Sequence, residues 1–119
     1  MIETEKNKTL LLVLSLLKES HEEYKKYLRH GKKFVHTKKI RSINQDVYDL
    51  LKTYTGPNSP ELAAVIKDVI EHLEQWIPLW DSQKNKLIPN DNDTFVFGDY
   101  KRYPKNFEDI ANSYIKENQ

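Results

Sequence analysis

The sequence predicts an all-α fold: a small bundle of three amphipathic helices and a shorter C-terminal helix, with a short β-hairpin between the third and the fourth. Three observations carry this expectation. Apolar residues recur at alternating steps of three and four along three long segments, which is the spacing that lines one face of a helix. The three glycines, Gly31, Gly56 and Gly98, each stand alone where a periodic segment runs out. Between the second and third segments, Ser59-Pro60-Glu61 combines a capping hydroxyl, a proline at the first helical position and an acid on the positive end of the helix dipole. At 119 residues the chain is expected to form one domain spanning residues 1–119.

In helix one the stripe is Leu10, Leu14, Leu17, His21, Tyr24 and Leu28, widened by Leu11, Val13 and Leu16. Thr4 or Asn7 can cap its start, and Gly31 suits the left-handed turn that ends a helix. Helix two carries His36, Ile40, Ile43, Val47, Leu50 and Tyr54. Thr37 can cap it, or Ser42 with Gln45 can form a capping box further on, and Thr55-Gly56-Pro57-Asn58 ends it. Helix three carries Leu62, Val65, Val69, Leu73, Trp76 and Trp80, with a kink or stop expected near Glu74–Gln75 because Pro78 removes a backbone donor. Regular structure is expected to end near Trp80. Residues 86–89 and 94–98 then read as extended pieces around the polar turn Asn90-Asp91-Asn92-Asp93, the expected hairpin. Pro104 or Asn106 opens the last helix, which carries Phe107, Ile110, Ala111 and Tyr114.

The net charge is only +1, but its distribution is uneven. Lys25, Lys26, Arg29, Lys32, Lys33, Lys38, Lys39 and Arg41 fall within 17 residues that contain no acid, and the remainder of the chain carries 11 basic against 18 acidic residues. Interleaved with Tyr24, Tyr27 and Phe34, these cations suit either a nucleic-acid backbone with stacked bases or an acidic protein face. Helix three, with Glu61, Asp68, Glu71, Glu74 and Asp81 against Lys67, offers an acidic face that can complement them internally.

Several chemistries are excluded. Without cysteine there are no disulfides, thiolate metal sites or cysteine nucleophiles. Isolated glycines rule out phosphate-cradling loops, and no nucleophile elbow surrounds any serine. His21, His36 and His72 lie on or beside apolar stripes of three helices, but none has a carboxylate at Glu-x-x-His spacing, so they read as packing residues rather than metal ligands. The acids at 81–93 lack the glycine and terminal glutamate of a calcium loop and read as turn residues. The lead Met1-Ile2-Glu3-Thr4-Glu5 is not a signal peptide, and Leu10–Leu17 is too short to cross a bilayer, so a cytoplasmic location away from membranes is expected.

Within the basic segment, Arg29-His30-Gly31-Lys32-Lys33-Phe34-Val35-His36 resembles the motif of HEPN domains, small all-helical proteins that include ribonucleases. The resemblance covers these eight residues. It implies that Arg29 stabilises phosphate charge and that His36 moves a proton during RNA cleavage, often across a dimer. The match departs from the family pattern at Gly31, which is expected to break the helix on which such a motif would sit.

Downstream, Trp76 and Trp80 are followed by Phe95, Phe97, Tyr100, Tyr103, Phe107 and Tyr114. Most of these are expected to cap the bundle, but Tyr100, Arg102 and Tyr103 lie in a stretch too polar for a core and read as a partner-facing edge. The function expected is that of a non-enzymatic interaction module, monomeric or homodimeric and without a cofactor, that binds a protein partner as inhibitor, immunity protein, adaptor or complex subunit. Nucleic-acid binding through residues 25–41 and HEPN-like ribonuclease activity are the alternatives.

Overall fold

The structure, a computed structural model, describes residues 2–55 and 59–117, with side chains from Asn7 onward. It contains four helices: α1 (Ile2–Arg29), α2 (Phe34–Lys52), α3 (Pro60–Leu87) and α4 (Phe107–Glu117). α1 packs on α2, α2 on α3, α3 on α4, and α4 on α1, so the helices form a closed ring without diagonal contacts. A 28-residue helix is about 42 Å long, and α1 and α3 accordingly set the long axis of a 47 × 22 × 21 Å body. None of the described helices is long and apolar enough to cross a membrane.

The predicted stripe of α3 becomes core, with Leu62, Val65, Val69, Leu73, Trp76 and Trp80 buried. That of α2 does so in part: Ile40, Ile43 and Val47 are buried, joined by Phe34 and Leu51, whereas His36, Leu50 and Tyr54 are half-buried and Tyr54 lies beyond the helix. Ser59 caps α3 as expected, its side-chain oxygen accepting from the Leu62 amide at 3.1 Å. Gly31 ends α1 in the left-handed region, at φ +87°. The expected turn at Gly56-Pro57-Asn58 lies outside the described residues.

Five expectations are corrected. Helix α1 already begins at Ile2, so Thr4 and Asn7 lie inside it rather than capping it. Its stripe also changes row: Leu10, Val13 and Leu17 are buried, but the inward face then continues through Ser20, Glu23 and Tyr27, leaving His21, Tyr24 and Leu28 exposed. Helix α2 starts at Phe34, and neither Thr37 nor Ser42 caps it; the Thr37 hydroxyl instead donates to the Phe34 carbonyl at 2.7 Å. Pro78 neither stops α3 nor ends it near Trp80, because the helix runs to Leu87. Pro78 and Glu74 are both exposed, so the lost backbone bond falls on the solvent side, where water can satisfy the carbonyl, while Ile77 and Trp80 hold the inner face in the core.

The fifth correction concerns the hairpin, which is absent among the described residues. Residues 88–106 form an extended strap whose backbone pairs with the α1–α2 connection instead of with itself. The Phe34 amide donates to the Asp93 carbonyl at 2.8 Å, the Val35 amide to Asp91 at 3.1 Å, and the Phe95 amide to Lys32 at 2.9 Å. Lys33 and Thr94 form an isolated antiparallel bridge. The polar turn survives, closed by the Asp93 amide on the Asn90 carbonyl and the Asn90 amide on the Asp93 carboxylate. Phe95 is thereby packed against the stacked rings of Phe34 and Trp80, with ring centroids 5.0 and 6.0 Å away, and its carbonyl accepts from the Tyr27 hydroxyl at 2.6 Å.

Farther along, the strap is tied to the middle of α3. The Lys101 ammonium pairs with Asp68 and Glu71, its amide donates to the Gln75 side chain, and its carbonyl meets the His72 imidazole. α4 then returns antiparallel to α3.

At the other end of the strap, Ile88 closes α3 in the left-handed region at φ +46° while 82% exposed. A β-branched residue is strained there, and glycine is not. Ile88→Gly is expected to raise stability by about 1–2 kcal/mol, measured by urea unfolding; a loss of stability would show that the Ile88 side chain makes a compensating contact.

Candidate functional site

One end of the bundle gathers the C-terminal turns of α1, the loop Gly31–Lys33, the first turns of α2 and the start of the strap. The basic segment lies there. The structure divides its eight cations into two groups of four. Lys26 and Lys39 approach the Glu23 carboxylate at 3.8 and 3.6 Å, and Lys38 pairs with Asp91 at 2.5 Å. Arg41 grips both oxygens of Asp81 at 3.1 Å through two guanidinium nitrogens and lies over the Trp80 ring, so it ties α2 to α3. Lys25, Arg29, Lys32 and Lys33 have no acidic side chain within ion-pair distance among the described residues, and all but the half-buried Lys33 are exposed.

Among the described residues the acidic face of α3 complements the basic segment only through Asp81. Asp68 and Glu71 hold Lys101, and Glu74 faces Lys52 and the Tyr48 hydroxyl.

Glu23 is the residue that the stripes do not single out. It is buried, and its carboxylate accepts from His36 Nδ1 at 2.6 Å. Burial pushes its carboxyl up, but the His36 hydrogen bond and the charges of Lys39 and Lys26 outweigh that, leaving it ionised below the ordinary glutamate range. With Nδ1 engaged, His36 Nε2 is left without a hydrogen-bond partner among the described residues, and the His30 ring stacks near it at 6.0 Å. In sequence the clue was available: Ser20, Glu23 and Tyr27 continue the helical period one row from His21, Tyr24 and Leu28.

Beside the cations is a cleft of about 150 Å³. Its buried walls include Tyr27, Ile40 and Trp76, with the half-buried Phe97. At its lips, Tyr24, Leu28 and Val96 are 50, 49 and 52% exposed, and Lys32 stands beside them. Tyr24 stacks on Tyr27 at 5.8 Å.

The segment Tyr100–Tyr103 divides. Tyr100 is half-buried against Phe97 and His72, and burial raises its phenol above the usual range. Tyr103 packs edge-on against His21 and His72 and donates to Glu108; burial, then that hydrogen bond, raises its phenol far above the usual range. Only Arg102 is exposed. His21 and His72 thus meet at Tyr103 while His36 sits with Glu23, and no group of three or more metal-ligating side chains occurs among the described residues.

Searches of protein-family models, curated proteins and solved structures find no match to this chain.

Because its acceptor is a carbonyl, His72 must donate from Nδ1, at 2.5 Å to Lys101. Burial lowers its pKa from 6.5, against a smaller upward push from that hydrogen bond. The unfolded chain therefore takes up this proton first, so the stability from neutral His72 is complete above pH 6.5 and declines as pH falls below it. Urea unfolding at pH 7.5 and 5.5 should show a smaller acid loss in His72→Gln than in the parent; equal losses would remove His72 from the pH dependence.

Proposed function

We propose that this chain is a non-enzymatic helical module that binds a protein partner through the basic end of its bundle. One observation carries the reading: Lys25, Arg29, Lys32 and Lys33 have no internal acidic partner and stand beside half-exposed Tyr24, Leu28 and Val96. An apolar centre with a charged rim is the usual anatomy of a protein interface, with Tyr and Arg among its enriched residue types. Unpaired cations at the rim favour an acidic partner and speed the encounter. The remaining cations are consumed in holding the fold, which limits the charge available to grip a phosphate backbone. The classes that fit are an inhibitor, an immunity protein, an adaptor or a subunit of a larger complex.

Affinity capture from the native host, before and after nuclease treatment, tests this. A stoichiometric protein partner should survive nuclease and be lost when Lys25, Arg29, Lys32 and Lys33 are all changed to Glu. Capture that disappears with nuclease, or that the quadruple variant retains, would overturn the reading.

A second reading, cleavage of RNA, has its own support in the Glu23–His36 pair at 2.6 Å. A buried carboxylate that fixes the imidazole tautomer leaves Nε2 free to accept a proton from a ribose hydroxyl, and Arg29 is the cation that the HEPN resemblance assigns to the phosphate. Gly31 separates the two residues onto different helices, as expected. This reading predicts RNA cleavage that falls at least a hundredfold in His36→Ala while the circular dichroism spectrum stays unchanged. Equal cleavage by the two proteins would assign the activity to a contaminant.

A further inference from the structure

The cleft at the basic end has a polar inventory that discriminates between occupants. The Tyr27 hydroxyl is spent on the Phe95 carbonyl. The Thr37 hydroxyl, which also lines the cleft, donates to the Phe34 carbonyl and accepts from the Trp80 indole at 2.9 Å. The deeper walls therefore present the faces of Trp76 and Phe97 and the Ile40 side chain, with the Trp76 indole and the Tyr100 hydroxyl as the polar groups still open. A nucleobase buried there would need partners for more ring nitrogens and exocyclic groups than these two can serve, which is costly. A phenyl ring would not. The volume, about 150 Å³, is that of a cavity that takes benzene.

Outside the cleft the chemistry is opposite. Tyr24 and Leu28 lie one helical turn apart at the lip, and Lys25 and Arg29 form the neighbouring row on α1. Lys32 stands at the mouth itself. An apolar slot next to unpaired cations complements a side chain that is apolar at its tip and flanked by acids along its backbone.

We propose that the cleft receives one phenylalanine side chain from an acidic segment of a protein partner, with the flanking carboxylates on Lys25, Arg29 and Lys32. The proposal rests on the protein-binding function above and names the anchor that this partner would use. The ring packs against Ile40, Trp76 and Phe97, and Tyr24, Leu28 and Val96 close over it.

Trp76 and Trp80 supply the readout. Only Trp76 lines the cleft itself, whereas Trp80 is one residue removed, its indole N–H held by the cleft-lining Thr37, so the Trp76 indole resonance is the direct probe. Titrating the intact protein with acetyl-Asp-Glu-Phe-Glu-Asp-amide should shift the Trp76 indole signal saturably, and further than that of Trp80. Replacing Phe by Ala in the peptide, or Leu28 by Ala in the protein, should weaken binding at least tenfold. Leu28 is half-exposed, so its truncation spares the core. Flanking the Phe with lysines, or raising salt from 50 to 500 mM, should weaken binding as well.

If the Phe and Ala peptides bind equally, or neither moves Trp76, the cleft assignment is overturned, whereas the protein-binding reading falls only if the nuclease-resistant partner is also missing. If oligouridylate shifts Trp76 and the peptide does not, the cleft assignment is overturned in favour of a nucleic-acid ligand.

Discussion

The amides of Phe34 and Val35 begin α2 without a capping side chain, and the carbonyls of Asp93 and Asp91 supply what they lack. A helix start leaves its first amides unpaired, and burying them without acceptors would cost about 1–3 kcal/mol each. This pairing fixes everything near it. It places Phe95 against the stacked pair of Phe34 and Trp80, brings the Phe95 carbonyl over the Tyr27 hydroxyl, and sets Val96 and Phe97 as one wall of the cleft. The strap thus substitutes for a capping residue in α2 and at the same time builds the surface next to the basic loop.

Charge is used in two ways on one short stretch of chain. Lys26, Lys39 and His36 surround the buried Glu23, and Arg41 spans to Asp81 under the shelter of Trp80. Breaking a buried carboxylate cluster of this kind is expensive because the charge that remains has no solvent to stabilise it. Lys25, Arg29, Lys32 and Lys33 have no such role. Apart from Lys26, the paired cations lie on α2 and the outward-facing ones on the last turns of α1 and the loop after it, so their proximity in sequence concealed two separate populations.

Much of the fold was legible in the sequence because it is local. The stripe of α3, the middle of that of α2, the Ser59 cap and the Gly31 terminus depend on residues within a few positions of one another, and each formed as its spacing implied. What was not legible depends on distant partners. Residues 94–98 have strand-like chemistry, but their acceptors and donors lie beside Lys32 and Phe34 rather than across a turn. Glu23 looks like a surface acid until His36 and Lys39, on another helix, are brought to it. Tyr100 and Tyr103 look too polar to bury, and pack inward because their rings lie against Phe97, His72 and His21, with Glu108 taking up the Tyr103 hydroxyl. Of the candidate site, the cations were visible in the sequence, and the cleft beside them was not, since α1, α2, α3 and the strap all contribute to it.

The bond from Tyr27 to Phe95 joins residues 68 positions apart. Contacts of that separation form only after the intervening chain has been gathered, so the strap is expected to dock after α1, α2 and α3 have assembled. By the same reasoning its first part, residues 88–96, is a unit that can open by itself, since its fastenings there are a few backbone bonds, the Lys38–Asp91 pair and one buried ring rather than a full helical face. The end of the bundle that carries the unpaired cations is therefore also its last part to become ordered. A partner gripping both the α1–α2 loop and Val96 would act as a clamp on the strap, and would slow its amide exchange well beyond the area it touches.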